Sequence, residues 1–132
     1  MFSRPTRLSA VDEPEARIVL IKNFFEALRA WQSEAWNNPK DHIMLRGAGF
    51  WAACFLGAEV IDRALAVGKY KPKDMLKILR SGKEWDWRKD GTFSGYSGRG
   101  GAVTIRDKIV AELQDESGVS LKSIVQKISS GL

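Results

Sequence analysis

Twelve lysines and arginines fall between residues 63 and 108: Arg63, Lys69, Lys71, Lys73, Lys77, Arg80, Lys83, Arg88, Lys89, Arg99, Arg106 and Lys108. Five acids stand against them (Asp74, Glu84, Asp86, Asp90, Asp107), so this segment carries +7 while each flank sums to −1, within a chain of net charge +5. Cations at that density suit a polyanionic partner. Trp85, Trp87, Phe93 and Tyr96 sit in the same region, beside a run with six glycines between 82 and 101. Ring faces can stack on bases, and glycine lets backbone approach a ligand closely. The candidate phosphate contacts are therefore Lys73, Lys77, Arg80, Lys83, Arg88, Lys89, Arg99 and Arg106, with Trp87 and Tyr96 as candidate stacking residues.

Other chemistries find less to work with. The stretch 94–101 (SGYSGRGG) leads into a helical pattern, and exposed N–H groups there, with Arg99, could hold a phosphate. It matches neither a Walker A loop nor a dinucleotide fingerprint, and a connection whose glycines serve turn geometry is the simpler reading. In Trp85-Asp86-Trp87 an extended backbone would point both indoles to one side, able to stack bases or clasp an aromatic ligand. Covering the end of a helical core is the commoner use of such a pair, and the favoured one here. Asp86 and Asp90 could bind a divalent ion, but cations adjoin both. His42 is the only histidine and Cys54 the only cysteine, which rules out an internal disulfide and a Cys/His zinc cage. His42 is expected at an exposed helix start, and Cys54 lies in the most apolar window as inert packing. No catalytic residue, metal or cofactor is expected.

These residues need a scaffold, and 132 residues with 44% apolar and 28% charged side chains suffice for one soluble domain with a real core. The opening MFSRPTRLSA shows no secretory signal, and the apolar window 47–58 is too short for a membrane span, which needs ~20 residues. With one thiol, the reducing cytoplasm is the expected compartment. Residues 1–11 lack periodicity and are expected to form a mobile arm ahead of a helical domain, 12–132.

The first helix is expected to start near Asp12, with Pro14 in its first turn and Ile18, Ile21, Phe25, Leu28 and Trp31 inward, widened by Leu20 and Phe24. Asn37-Asn38-Pro39 breaks it. A second helix is expected from 41 or 42 to 67, apolar nearly all round and so central, with Gly49, Ala53 and Gly57 forming a flat strip for close backbone approach. A short third helix, 73–80, would turn Met75, Leu76, Ile78 and Leu79 inward. A long Trp/Gly-rich loop, 82–101, precedes a fourth helix, 102–114. Ser120 then caps a last helix carrying Leu121, Ile124, Val125 and Ile128. With no internal repeat or convincing strand pair, the fold class is all-α, a compact single-domain bundle of about five helices.

The stretches 23–27 (NFFEA) with Trp31 and Trp36, then 44–51 (MLRGAGFW), then Trp85-Asp86-Trp87 and 95–101 resemble the C-terminal helical region of DGQHR-domain proteins, the group that includes DndB-type regulators of DNA phosphorothioate modification. The resemblance covers roughly residues 18–113. The Asp-Gly-Gln-His-Arg signature is absent, so no activity tied to it carries over. What the resemblance implies is a DNA-linked regulatory or defence context. The expected function is a non-enzymatic DNA-associated module. The alternative is a protein-interaction or oligomerisation module, docking through the small-residue strip or the Trp/Gly loop.

Overall fold

The computed structural model describes residues 13–113, and the expected arm and last helix lie outside them. Among the described residues are five helices: α1 (Pro14–Trp31), α2 (Ser33–Asn37), α3 (Gly47–Ala66), α4 (Pro72–Arg80) and α5 (Gly98–Glu112). No named strand occurs among them, and none of their helices is long and apolar enough to cross a membrane. The fold is all-α, as its sequence periodicity predicts.

Helix α1 begins where Pro14 needs no N–H partner and Glu15 faces the positive end of the dipole, and Arg29 sits in its last turn. Its buried row is Leu20, Phe24, Ala27 and Leu28. The expected stripe is therefore rotated: Ile21, Phe25 and Trp31 are half-buried, and Ile18 is 64% exposed. Gln32 interrupts the helix and α2 completes the descent to the Asn-Pro turn.

Helix α3 is the centre of the molecule, packing against α1, α4 and α5. Residues 52 to 58 are buried without a break, including Cys54, whose thiol is pushed up from its ordinary pKa by that burial. The small-residue strip is used inside the fold. A Cβ on Gly49 would overlap the Ile43 carbonyl oxygen, and one on Gly57 would come within 2.9 Å of the Phe24 ring. That strip is accordingly filled by the chain's own residues and does not serve as an external docking face. Nor is α3 buried all round: Phe50 and Trp51, in its first turns, are 41% and 45% exposed.

The second expected helix starts later than its periodicity suggests, at Gly47 instead of 41 or 42. Tertiary bonds claim the intervening backbone. The Ile43 N–H donates to the Trp87 carbonyl (2.8 Å), and the Arg46 guanidinium donates to the Lys40 carbonyl (3.1 Å). Helix α4 is opened by Pro72, with Asp74 Oδ2 accepting from the Lys71 N–H at 3.1 Å. Met75, Ile78 and Leu79 face the core and Leu76 is half-buried. Helix α5 starts at Gly98, four residues before the expected 102, so the last three glycines of the loop lie in its first turn. Gly101 makes for a close fit there, since the Tyr96 backbone passes 3.0 Å from where a Cβ would stand.

Close packing at Gly49 gives a test against the ordinary helix preference for alanine. Gly49→Ala should destabilise by ~1–3 kcal/mol through overpacking, despite a helix-propensity gain of up to ~1 kcal/mol. Gly100→Ala, where nothing lies within 4 Å, should be neutral or stabilising. Urea unfolding of both variants decides the point, and equal midpoints would show that the strip is not tightly filled.

Candidate functional site

The loop between α4 and α5 is built around Phe93, which is fully buried. Trp85 stacks on it (centroids 5.4 Å apart, planes at 26°) and Trp87 meets it edge-on at 5.0 Å. Tyr96 leans on the same ring at 6.3 Å, and Trp31 of α1 closes on Trp87 at 6.1 Å and 82°. Both indoles of Trp85-Asp86-Trp87 do share a side, but that side faces the core. Trp87 is only 1% exposed, so its expected stacking on an exposed base is corrected: it covers the core. Tyr96 is half-buried.

Backbone pairing fixes this placement. His42 and Arg88 form an isolated antiparallel bridge, and the Lys89 N–H donates to the Asp41 carbonyl (2.9 Å) beside the Ile43–Trp87 bond. His42 is consequently buried (5% exposed), not at an exposed helix start. Its Nδ1 lies 2.8 Å from the Asn38 carbonyl oxygen. A carbonyl only accepts, so Nδ1 carries a proton and donates this bond.

Residues 86–92 form a closed turn. Arg88 clamps Asp86 through Nε to Oδ1 (3.0 Å) and Nη2 to Oδ2 (2.7 Å), while its own backbone N–H donates to Oδ1 (3.1 Å). The Gly91 N–H donates to the Arg88 carbonyl and the Thr92 N–H to the Asp86 carbonyl. Side chains are barred from position 91 by Asp86, whose Cγ would be 2.6 Å from a Cβ. The Arg88 side-chain bonds come first in holding the Asp86 carboxyl down at about pKa 2, followed by the Arg88 backbone N–H. The Arg88 guanidinium is correspondingly raised, chiefly by Asp86. A clamped Asp86 is poorly placed to join Asp90 around a cation.

The expected cations divide into two sets. Arg88 is engaged by Asp86, Lys89 lies 3.9 Å from Asp41, and Arg106 bonds Asp107 at 2.6 Å while lying over Phe55. Lys73, Lys77 and Arg80 are exposed on α4 and have no ion pair with another described residue. Positions 73, 77 and 80 fall within ~60° around a helix axis, so they make one stripe. Lys83 follows, its ammonium 4.7 Å from the Trp85 ring centroid. Arg99 is exposed in the first turn of α5.

Where the stripe ends, a groove of about 490 Å³ opens between Trp31, Glu34, Arg80, Lys83, Glu84 and Trp85. A second cavity of about 210 Å³ shares Gln32, Glu34 and Trp85 with it and reaches His42, Trp87 and Arg88. The Trp87 indole Nε1–H is itself fully buried and has no hydrogen-bond acceptor among the described residues. Such an orphan costs ~1–3 kcal/mol, and buried indoles usually find a partner. Gln32 and Glu34 are absent from the sequence-derived set, because nothing in their local pattern links α2 to a loop fifty residues away. No family model, curated protein or solved structure matches this chain.

The Asp86–Arg88 clamp has a defined pH signature. Because the folded-state pKa is depressed, its stabilising effect is complete above the ordinary carboxylate range of ~3.9 and is lost as pH falls through about 2. Carboxyl-carbon NMR should show Asp86 ionised at pH 3, and Arg88→Ala should return its midpoint towards the ordinary value. An Asp86 titrating near 4 in the parent chain would contradict the clamp.

Proposed function

We propose that this chain is a non-enzymatic nucleic-acid-binding module, with DNA as its expected partner, that holds a phosphate backbone along the exposed face of α4. The observation that carries the reading is the Lys73–Lys77–Arg80 stripe, exposed and without an acid partner among the described residues, continued by Lys83 into a groove. Asp74, the acid within the helix, is turned to the helix's own start through Lys71 N–H and leaves the stripe unneutralised. Phosphates are bound by such arrays through release of condensed counterions, which needs accessible charge and little sequence reading. Arg99 and Tyr96 stand as secondary contacts. Arg88, Lys89 and Arg106 are weaker ones, because each lies by an acid.

The likeness to the helical region of DGQHR-domain proteins would set such a module in DNA modification or defence, working in the cytoplasm as a regulator. Burial of Cys54 and clamping of Asp86 leave two of the more reactive groups in the chain occupied, which favours binding over catalysis. A protein partner or second copy is the other reading, favoured by the exposed Phe50 and Trp51 on α3. Concentration-dependent light scattering that disappears in Trp51→Ser would support it.

Binding to short DNA, titrated in salt, tests the main proposal. Affinity should fall steeply as salt rises. Replacing Lys73, Lys77 and Arg80 by Glu should lower affinity at least ~10-fold and flatten the slope of log K against log salt by ~0.7–0.9 for each phosphate no longer neutralised. Arg88→Ala with Lys89→Ala should do less. Salt-insensitive binding, or a stripe variant that binds like the parent, would refute the role of α4.

A further inference from the structure

We infer that Tyr70 stacks on an unpaired base of a strand whose phosphates lie along the α4 stripe, adding an affinity that a duplex cannot supply. The inference rests on the phosphate-backbone reading above and names the residue that makes the contact sensitive to strandedness.

Elimination among the aromatics points to this side chain. Five lie in the basic segment 63–108: Tyr70, Trp85, Trp87, Phe93 and Tyr96. Trp85, Trp87 and Tyr96 all pack on Phe93, and Lys83 adds its ammonium to the Trp85 ring. Those rings are occupied by the fold. Tyr70 is 47% exposed, and the hydrogen bond made at this residue uses its backbone carbonyl, not its ring. The other strongly exposed aromatics, Phe50 and Trp51, belong to α3 and lie outside the basic segment.

The backbone fixes Tyr70 at the head of the stripe. Gly68, at φ +70°, turns the chain out of α3, and the Lys69 N–H returns to the Ala64 carbonyl at 3.0 Å. The Tyr70 carbonyl then accepts from Asn23 Nδ2 of α1 at 2.9 Å, and Pro72 opens α4. With its backbone held to helices on both sides, the residue loses less entropy when its ring is used. Lys73 is three residues on, at most ~10 Å along the chain. Lys71 stands between them, exposed and without an ion pair to another described residue. From 73 to 80 the stripe rises a further ~10.5 Å. Cations that follow phosphates, with an aromatic face for a base, are the combination that holds single strands. In a duplex the base faces are stacked on one another, so the ring has nothing to add except at an end.

The test measures fluorescence anisotropy of three labelled probes with the whole chain: a short single-stranded deoxyoligonucleotide, an abasic deoxyribose-phosphate strand of the same length, and a long duplex. The base-bearing strand should bind ~10-fold more tightly than the abasic one, the order of one base–aromatic contact. Tyr70→Ala keeps the carbonyl that Asn23 holds and should unfold at the parent's urea midpoint. It should remove that advantage, leaving the abasic strand, the duplex and the salt slope unchanged. Tyr70→Phe should retain the advantage and Tyr70→Leu should lose it, because an apolar side chain without a ring offers no stack. In the parent chain, the Tyr70 ring protons should move upfield in NMR spectra with the base-bearing strand and stay in place with the abasic one. Equal binding of base-bearing and abasic strands, or a Tyr70→Ala loss that is absent or alike on all three probes, would overturn the Tyr70 assignment and leave the stripe standing. Failure of every probe to bind would overturn this inference together with the phosphate-backbone reading.

Discussion

Three residues on either side of the His42–Arg88 bridge decide where the aromatic loop goes. The bonds Ile43 N–H to Trp87 carbonyl and Lys89 N–H to Asp41 carbonyl lay an extended piece of the loop beside the segment that precedes α3. Alternation along that extended backbone then sends Trp87 inward onto Trp31 and Phe93, and leaves Asp86 and Arg88 outside to close on each other. Without the pairing, residues 82–97 would be held by ring contacts and by the local bonds of the 86–92 turn. With it, α2 and the loop become walls of the same pair of cavities, and His42 joins them in the smaller one.

The electrostatic character follows from that arrangement more than from charge number. Arg88, Lys89 and Arg106 count equally with Lys73, Lys77 and Arg80 in the sequence, yet the first three pair with acids and the second three have no ion pair with another described residue. Exposed pairs of this sort add little stability, typically ~0–1 kcal/mol. Their larger effect is to decide which cations stay free for another molecule. Among the candidate contacts, the cations without an ion pair to a described residue are thereby Lys73, Lys77 and Arg80 on one helical face, Lys83 at the groove, and Arg99 apart on α5.

Much of the scaffold was legible from periodicity and punctuation. Pro14, Pro72, and the apolar runs of α1, α3 and α4 marked those elements within a few residues, because local propensity and packing agree there. The start of α3 was not legible: residues 41–46 read as helix, but the Asp41 carbonyl and the Ile43 N–H are committed to Lys89 and Trp87, more than forty positions away. The rotation of α1, with Ile18 outward and Ala27 inward, escaped for a related reason, since Phe24 must seat on Gly57 and that contact turns the helix. At the site, the pattern of Trp85 and Trp87 indicated their shared side and favoured the core-covering role that their packing on Phe93 shows. Glu34, Gln32 and the burial of His42 arise only when α2 meets the loop, and no spacing along the chain encodes that meeting.

The chain carries a single thiol, Cys54, and places it in the middle of its central helix. Burial both shields the sulfur and disfavours the thiolate, the form that reacts. An alkylating reagent therefore reaches it only during those openings in which α3 parts from its neighbours. The speed of that modification under native conditions is a clock for how often the centre of the molecule breathes, supplied by the native residue with no engineered label.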